Sequence, residues 1–159
     1  MFTGRVVAIF VAPTAGAPME ARDSVDAVTG VGLTGDRYAL QTGKYSDTNR
    51  GPRDVTLIER EAIDVVREED GIEVAEADTR RNVVTEGVPL NHLVGCTFRV
   101  GAVTMRGLRL SEPCAYLEQL TGLDGINRAF VHRGGLRAEI IDGGELRVGD
   151  PVQPGDRAG

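Results

Sequence analysis

Phe98-Arg99-Val100-Gly101-Ala102-Val103-Thr104-Met105-Arg106 alternates apolar and polar residues on both sides of a two-residue break. Successive side chains of a strand point to opposite faces, so Phe98, Val100, Val103 and Met105 share one face while Arg99, Thr104 and Arg106 share the other. Glycine at the first of the two central positions suits the positive φ of a tight hairpin turn. The stretch predicts two antiparallel strands with one buried face, and a mostly β domain around them.

Downstream, Ser111-Glu112-Pro113 reads as a helix entry, because Ser can cap and Pro is tolerated in the first turn, and Gly122 stands where such a helix would stop. Leu117 and Leu120 are expected to face the core. Ile126, Ala129 and Phe130 recur at three-and-four spacing and predict a second short helix before Arg133-Gly134-Gly135. Two further strands, over 138–141 and 145–148, bracket the turn signal Asp142-Gly143-Gly144.

Upstream, 6–11 reads as a first strand, and Pro13 and Pro18 flank a small-residue loop leading to a strand over 25–31. Gly32 and Gly35 break the next segment. A β-branched run over 54–58 passes into an amphipathic helix over 59–68, where Ala62, Ile63, Val65 and Val66 lie beneath a charged face. No internal repeat interrupts the chain, and glycine recurs at short intervals, which favours many short strands. Short strands with two or three short helices fit an α+β architecture in which a partly closed β-barrel is flanked by helices.

The chain has 159 residues, 41% of them hydrophobic, enough to bury one core and too few for two ordinary domains. One domain over 1–152 is expected, with 153–159 a flexible tail. The opening MFTGRVVAIFVAP lacks a basic region before a long apolar segment, so it is not read as a signal peptide. No stretch approaches the roughly 18 apolar residues needed to cross a bilayer. Two cysteines make a secreted disulfide scaffold a poor reading, which leaves the cytoplasm as the expected compartment. Net charge is -6, with pI near 5.0, and offers no general field for nucleic acid.

Cys114 follows Glu112-Pro113 at the predicted helix N-terminus, where unpaired N–H groups favour thiolate over thiol, and is the candidate nucleophile. Cys96 sits in an apolar strand start and is expected in the core. The cysteines and histidines form no paired zinc-binding grouping. Arginines gather beside turns in Gly35-Asp36-Arg37, Arg53-Asp54, Arg80-Arg81-Asn82 and His132-Arg133-Gly134-Gly135-Leu136-Arg137. Planar guanidinium forks beside glycines can build an anion site, although arginines are also ordinary surface ion-pair partners. His132 is a candidate for orienting or shuttling a proton, whereas His92 reads as a loop residue.

Those clusters, together with Arg53-Asp54-Val55-Thr56-Leu57-Ile58, Arg80-Arg81-Asn82-Val83-Val84, Gly87-Val88-Pro89-Leu90-Asn91-His92-Leu93-Val94-Gly95, Glu112-Pro113-Cys114 and Gly149-Asp150-Pro151-Val152, resemble in order and spacing the MOSC domain family, named for the C-terminal domain of molybdenum-cofactor sulfurases. The resemblance implies a β-barrel of the MOSC and pyruvate-kinase barrel type and a role with the molybdenum cofactor (molybdopterin), bound lastingly or only transiently, rather than with pyridoxal phosphate. It implies that Cys114 is either a thiolate ligand to molybdenum or the carrier of a persulfide sulfur. Arg80, Arg81 and Asn82 would hold the cofactor's phosphate or pterin, with Arg53, Arg133 and Arg137 as further contacts. Two functions follow as alternatives: reduction of N-hydroxylated compounds with a separate electron-transfer partner, or non-enzymatic sulfur transfer from a cysteine desulfurase. Eukaryotic reductases of the family carry a further N-terminal barrel region where this chain has a short segment before Gly32. A monomer, or a homodimer or partner chain completing the cofactor grip, is therefore expected.

Overall fold

The computed structural model describes residues 2–46 and 51–155. In chain order the elements are β1 (Gly4–Val11), β2 (Glu20–Arg22), β3 (Ser24–Val28), β4 (Gly32–Leu33), β5 (Val55–Glu59), α1 (Arg60–Glu69), β6 (Val83–Glu86), β7 (Thr97–Val100), β8 (Val103–Leu110), α2 (Ala115–Thr121), α3 (Ile126–Ala129), β9 (Leu136–Asp142), β10 (Gly144–Arg147) and β11 (Pro151–Pro154). Short 3-10 turns lie at Glu76–Thr79 and Leu90–Leu93.

The alternating stretch forms the expected hairpin. Phe98 pairs with Met105 and Val100 with Val103, and all four are fully buried. Gly101 supplies the positive φ, at 57°, that the tight turn requires. From this hairpin the sheet runs β11-β7-β8-β9-β5-β6-β1, and a β1–β11 pairing joins its ends. The expected partly closed barrel therefore closes, through a seam of only two residue pairs, Gly4 with Val152 and Arg5 with Pro151. β1 can serve as the seam because a register shift between Val6 and Ala8 bends it from β11 towards β6 and then β2. The single parallel contact among the barrel strands, β5 with β6, is the one bridged by a helix crossover, α1, as parallel pairing demands.

Alternation along the strands separates two cores. Val55 and Leu57 of β5, Leu136 and Ala138 of β9, and Phe98 and Met105 of the hairpin fill the barrel. The neighbouring positions Phe10, Ile58 and Val84 face outwards and are covered by Ile63 and Val66 of α1, Leu117 of α2, Ile126 and Ala129 of α3, and Phe130 just after it. Strands buried on both faces explain why β5 and β6 read as β-branched runs rather than clean alternations.

Four expectations change in detail. The strand predicted over 25–31 ends at Val28, where Val31 N–H bonds back to the Val28 carbonyl and turns the chain. The strands around Asp142-Gly143-Gly144 are not a hairpin: β10 pairs with β3, in a small second sheet β10-β3-β4, rather than with β9. Leu120 lies at the surface, 36% exposed, because two-turn α2 buries only Leu117. Ser111 does not cap α2. Its N–H is still held by the Gly135 carbonyl, so the chain leaves the sheet only afterwards and the helix begins at Ala115 with Cys114 as the preceding cap residue. Gly122 ends that helix at φ 67°, as expected. β11 continues through Gln153 and Pro154, while residues 156–159 of the expected tail lie outside the described residues. Among the described residues no helix is long and apolar enough to cross a membrane.

Candidate functional site

On the outer face of the barrel wall formed by β5, β9 and β8, side chains that alternate with the buried ones on β5 and β9, joined by Arg109 beyond a bulge in β8, line a cavity of about 380 Å³. The register decides this. Thr56 pairs with Arg137, and Arg137 with Arg109, so the three stand in one row across three strands and all three line the cavity. Their immediate neighbours Leu57, Leu136 and Ala138 point into the barrel. Two like charges directly opposed across strands cost energy unless something anionic answers them. Burial, reinforced by the charges of Arg53 and Arg109, pushes the Arg137 guanidinium down to about 10.

A second wall comes from the turn after Glu76–Thr79. Arg80 adopts the left-handed conformation at φ 58°, uncommon for a residue with a side chain. Its backbone carbonyl accepts a hydrogen bond from Arg37 Nη2 at 3.2 Å, and Arg37 is itself locked to buried Asp36 at 3.0 Å. One arm of the Arg80 guanidinium, Nη1, donates to the Ala17 carbonyl at 2.7 Å. The other, Nη2, is buried with no hydrogen-bond partner among the described residues, and burial lowers the pKa of the group. Arg81 behaves differently. Its Nε donates to the Gly134 carbonyl and its Nη2 to the Ser111 carbonyl, both at 2.7 Å, and burial pushes it down to about 10, still protonated at neutral pH.

The third wall carries the thiol. Cys114 is half-buried and lines the cavity, and its Sγ lies 3.0 Å from the Tyr45 hydroxyl. That hydrogen bond, with burial, pushes the Tyr45 phenol up to about 12, so the phenol keeps its proton and can donate it to a thiolate. Tyr38, Tyr45 and Tyr116, all the tyrosines of the chain, border this cavity. Each has a cation over its ring: Arg37 over Tyr38 at 4.9 Å, Arg53 over Tyr45 at 5.2 Å and Lys44, the sole lysine, over Tyr116 at 4.8 Å. Such contacts hold flexible cationic side chains in place.

Among the described residues, six arginines and Lys44 thus meet one lining carboxylate, Glu112, and Glu112 is engaged by the His132 backbone N–H at 3.0 and 3.2 Å. In a chain of net charge -6, this is a strong local reversal of sign, suited to an anionic ligand. Among the described residues no group of three or more His, Cys, Asp or Glu side chains converges on a point.

Of the residues singled out in the sequence, the structure brings Cys114, Arg53, Arg80, Arg81 and Arg137 to this cavity. Asn82 is buried behind it, where its Nδ2 bonds the Phe10 carbonyl and its Oδ1 accepts from Thr56 N–H, stapling β1 to β5. Arg133 turns away to the Ala129 carbonyl and Asp70. The His132 side chain is 81% exposed. Cys96 is exposed rather than in the core, because it belongs to the turn before β7, where its N–H bonds the Leu93 carbonyl, and not to the alternating strand. Sequence reasoning missed Arg109, Lys44 and Tyr45. None of the three carried a signal: alternation from Val103 and Met105 would turn Arg109 towards the barrel, and only a register shift between Gly107 and Arg109 brings it outwards, whereas Lys44 and Tyr45 lie in a segment without periodicity.

Similar architecture is found in the crystal structures of the YuaD protein from Bacillus subtilis (17% identity, TM-score 0.75, covering 96% of this chain and 97% of that one) and of YiiM from Geobacillus stearothermophilus (13%, 0.73, 97% and 76%). YiiM from Escherichia coli is similar at 20% identity and TM-score 0.67, covering 97% and 71%. At these identities the likeness is one of fold. No curated protein sequence matches significantly. The sequence pattern of the MOSC domain matches residues 43–153, a span that includes Tyr45, Arg53, Arg80, Arg81, Arg109, Cys114 and Arg137, and the chain belongs to the MOSC domain family.

Proposed function

We propose that this protein binds the pterin molybdenum cofactor in the cavity beside Cys114, with the Cys114 thiolate as a ligand to the metal. The observation that carries the reading is the opening of one half-buried thiol onto the same cavity as a lysine and six arginines, one of which, Arg80, has a buried Nη2 with no partner among the described residues. These donors fit the group: a soft sulfur suits a sulfur-rich metal centre, and planar guanidinium forks suit a phosphate. When bound, the cofactor would supply two-electron redox chemistry, used here to reduce N-hydroxylated compounds with electrons from a separate protein.

The chain's own residues bind and orient. Arg80, Arg53, Arg109 and Arg137 hold the anionic part. Tyr45 keeps its proton and hydrogen-bonds the thiolate sulfur through its hydroxyl, and Glu112, fastened to the His132 N–H, leaves the cavity predominantly cationic.

The test is the molybdenum and pterin content of wild type and Cys114→Ala, purified from a host that makes the cofactor. Near-stoichiometric metal in wild type and its loss in the variant are expected. Metal absent from both, with an added sulfur on Cys114 after exposure to a cysteine desulfurase, would transfer the function to persulfide carriage. Neither metal nor added sulfur would sink both readings.

A further inference from the structure

Adjacent in sequence, Arg80 and Arg81 read as equivalent cationic ligands. Their hydrogen bonds say otherwise. Arg81 spends two nitrogens on backbone carbonyls, Gly134 and Ser111, at 2.7 Å each. The Ser111 N–H in turn bonds the Gly135 carbonyl at 2.8 Å. Arg81 therefore closes a clamp between the start of β9 and the Ser111-Glu112-Pro113-Cys114 segment that delivers the thiol. The clamp has no slack: a Cβ on Gly134 would run into the Ser111 carbonyl oxygen, and one on Gly135, at φ 108°, into that of Leu57. Arg80 has the opposite character, with a buried Nη2 that no group among the described residues takes up and a backbone pinned in the left-handed region by Arg37.

We infer that the two arginines divide the work: Arg80 contacts the anion, and Arg81 is a positioning residue that sets Cys114 against it without touching ligand. The inference rests on the anion-binding reading of the cavity and is independent of whether molybdenum is bound. An interaction made through a two-pronged guanidinium is not replaced by an ammonium, so Arg81→Lys keeps the charge and loses the clamp.

Inorganic phosphate is the probe, with affinity read by calorimetry and Cys114 position read by the protection that saturating phosphate gives against iodoacetamide. Exposed Cys96 serves as the internal control, its labelling followed by mass spectrometry. Wild type should bind phosphate and slow Cys114 alkylation about fivefold or more, on the strength of a buried charge-assisted contact. Arg80→Gln should weaken binding about tenfold or more and lose the protection at the same phosphate concentration. Arg81→Lys should bind within about twofold of wild type yet lose most of the protection even at saturation, with Cys96 labelling unchanged. A phosphate affinity in Arg81→Lys as weak as in Arg80→Gln would make Arg81 a ligand contact and overturn the division. So would retained protection in Arg81→Lys, or a wild type that does not bind phosphate. Loss of molybdenum content without any of these results would sink the cofactor reading and leave the division standing.

Discussion

The two faces of the β5–β9–β8 wall are made by the same few residues, in alternation on β5 and β9 and across a bulge on β8, and they obey opposite rules. Inwards, Leu57, Leu136 and Ala138 are fully buried among apolar neighbours, where each contributes by removing surface from water and by dense packing. Outwards, Thr56, Arg137 and Arg109 stand in register beside a cavity, with like charges facing one another. One face is built to be stable by itself. The other carries an electrostatic cost that an anionic ligand would offset, which is the usual relation between a scaffold and a site grafted onto it.

The sharpest way to break that comparison is to truncate each face in turn. Leu57→Ala should cost about 2–5 kcal/mol of unfolding free energy in a denaturant titration, as cavity formation in a closed core does. Arg109→Gln, on the exposed end of the outer row, should leave stability within about 0.5 kcal/mol while weakening inorganic phosphate binding about tenfold by calorimetry. Equal losses of stability for the two variants would abolish the distinction.

A finer test lies at the border between the faces. Asp54 is buried just before β5, and its Oδ2 accepts the Ile140 N–H at 2.9 Å. Burial raises its carboxyl above the usual value, against the opposing pull of that hydrogen bond. A raised acid is most compatible with the fold when protonated, so its contribution to stability is present at low pH and lost as pH rises through the folded value. Asp54→Asn should therefore melt at a higher temperature than wild type at pH 7. The gain should shrink steadily as pH falls into the carboxylate range, which scanning fluorimetry across pH would show. A gain that persists undiminished at low pH would mean that packing, not ionisation, sets the cost.

Much of the barrel could be read from local pattern. Phe98 to Arg106 alternates because one face is buried, Gly101 occupies the position that needs positive φ, and Ala62, Ile63 and Val66 mark the inward stripe of α1. The site was legible only in outline. Cys114, Arg53, Arg80, Arg81 and Arg137 stood out through residue type and turn context, and they do converge. Arg133 and Asn82 stood out equally, yet one faces Asp70 and the other staples strands. Arg81 lines the cavity as expected, with two of its nitrogens bonded to backbone carbonyls. Residue type announces what a side chain can do, and only its neighbours decide which of those things it does.

By itself, then, the sequence determined most of the strands, the inward faces, the family and the candidate thiol, since each follows from spacing within a few residues or from motif order along the chain. Tertiary structure alone decided that the barrel closes through Gly4 and Arg5, that Tyr45 reaches Cys114 across 69 positions of sequence, and that the neighbouring Arg80 and Arg81 differ in their hydrogen-bond partners. Those outcomes depend on register and on hydrogen bonds between distant segments, and a one-residue shift of register, invisible in composition, would send Arg137 into the barrel and Leu136 into the cavity.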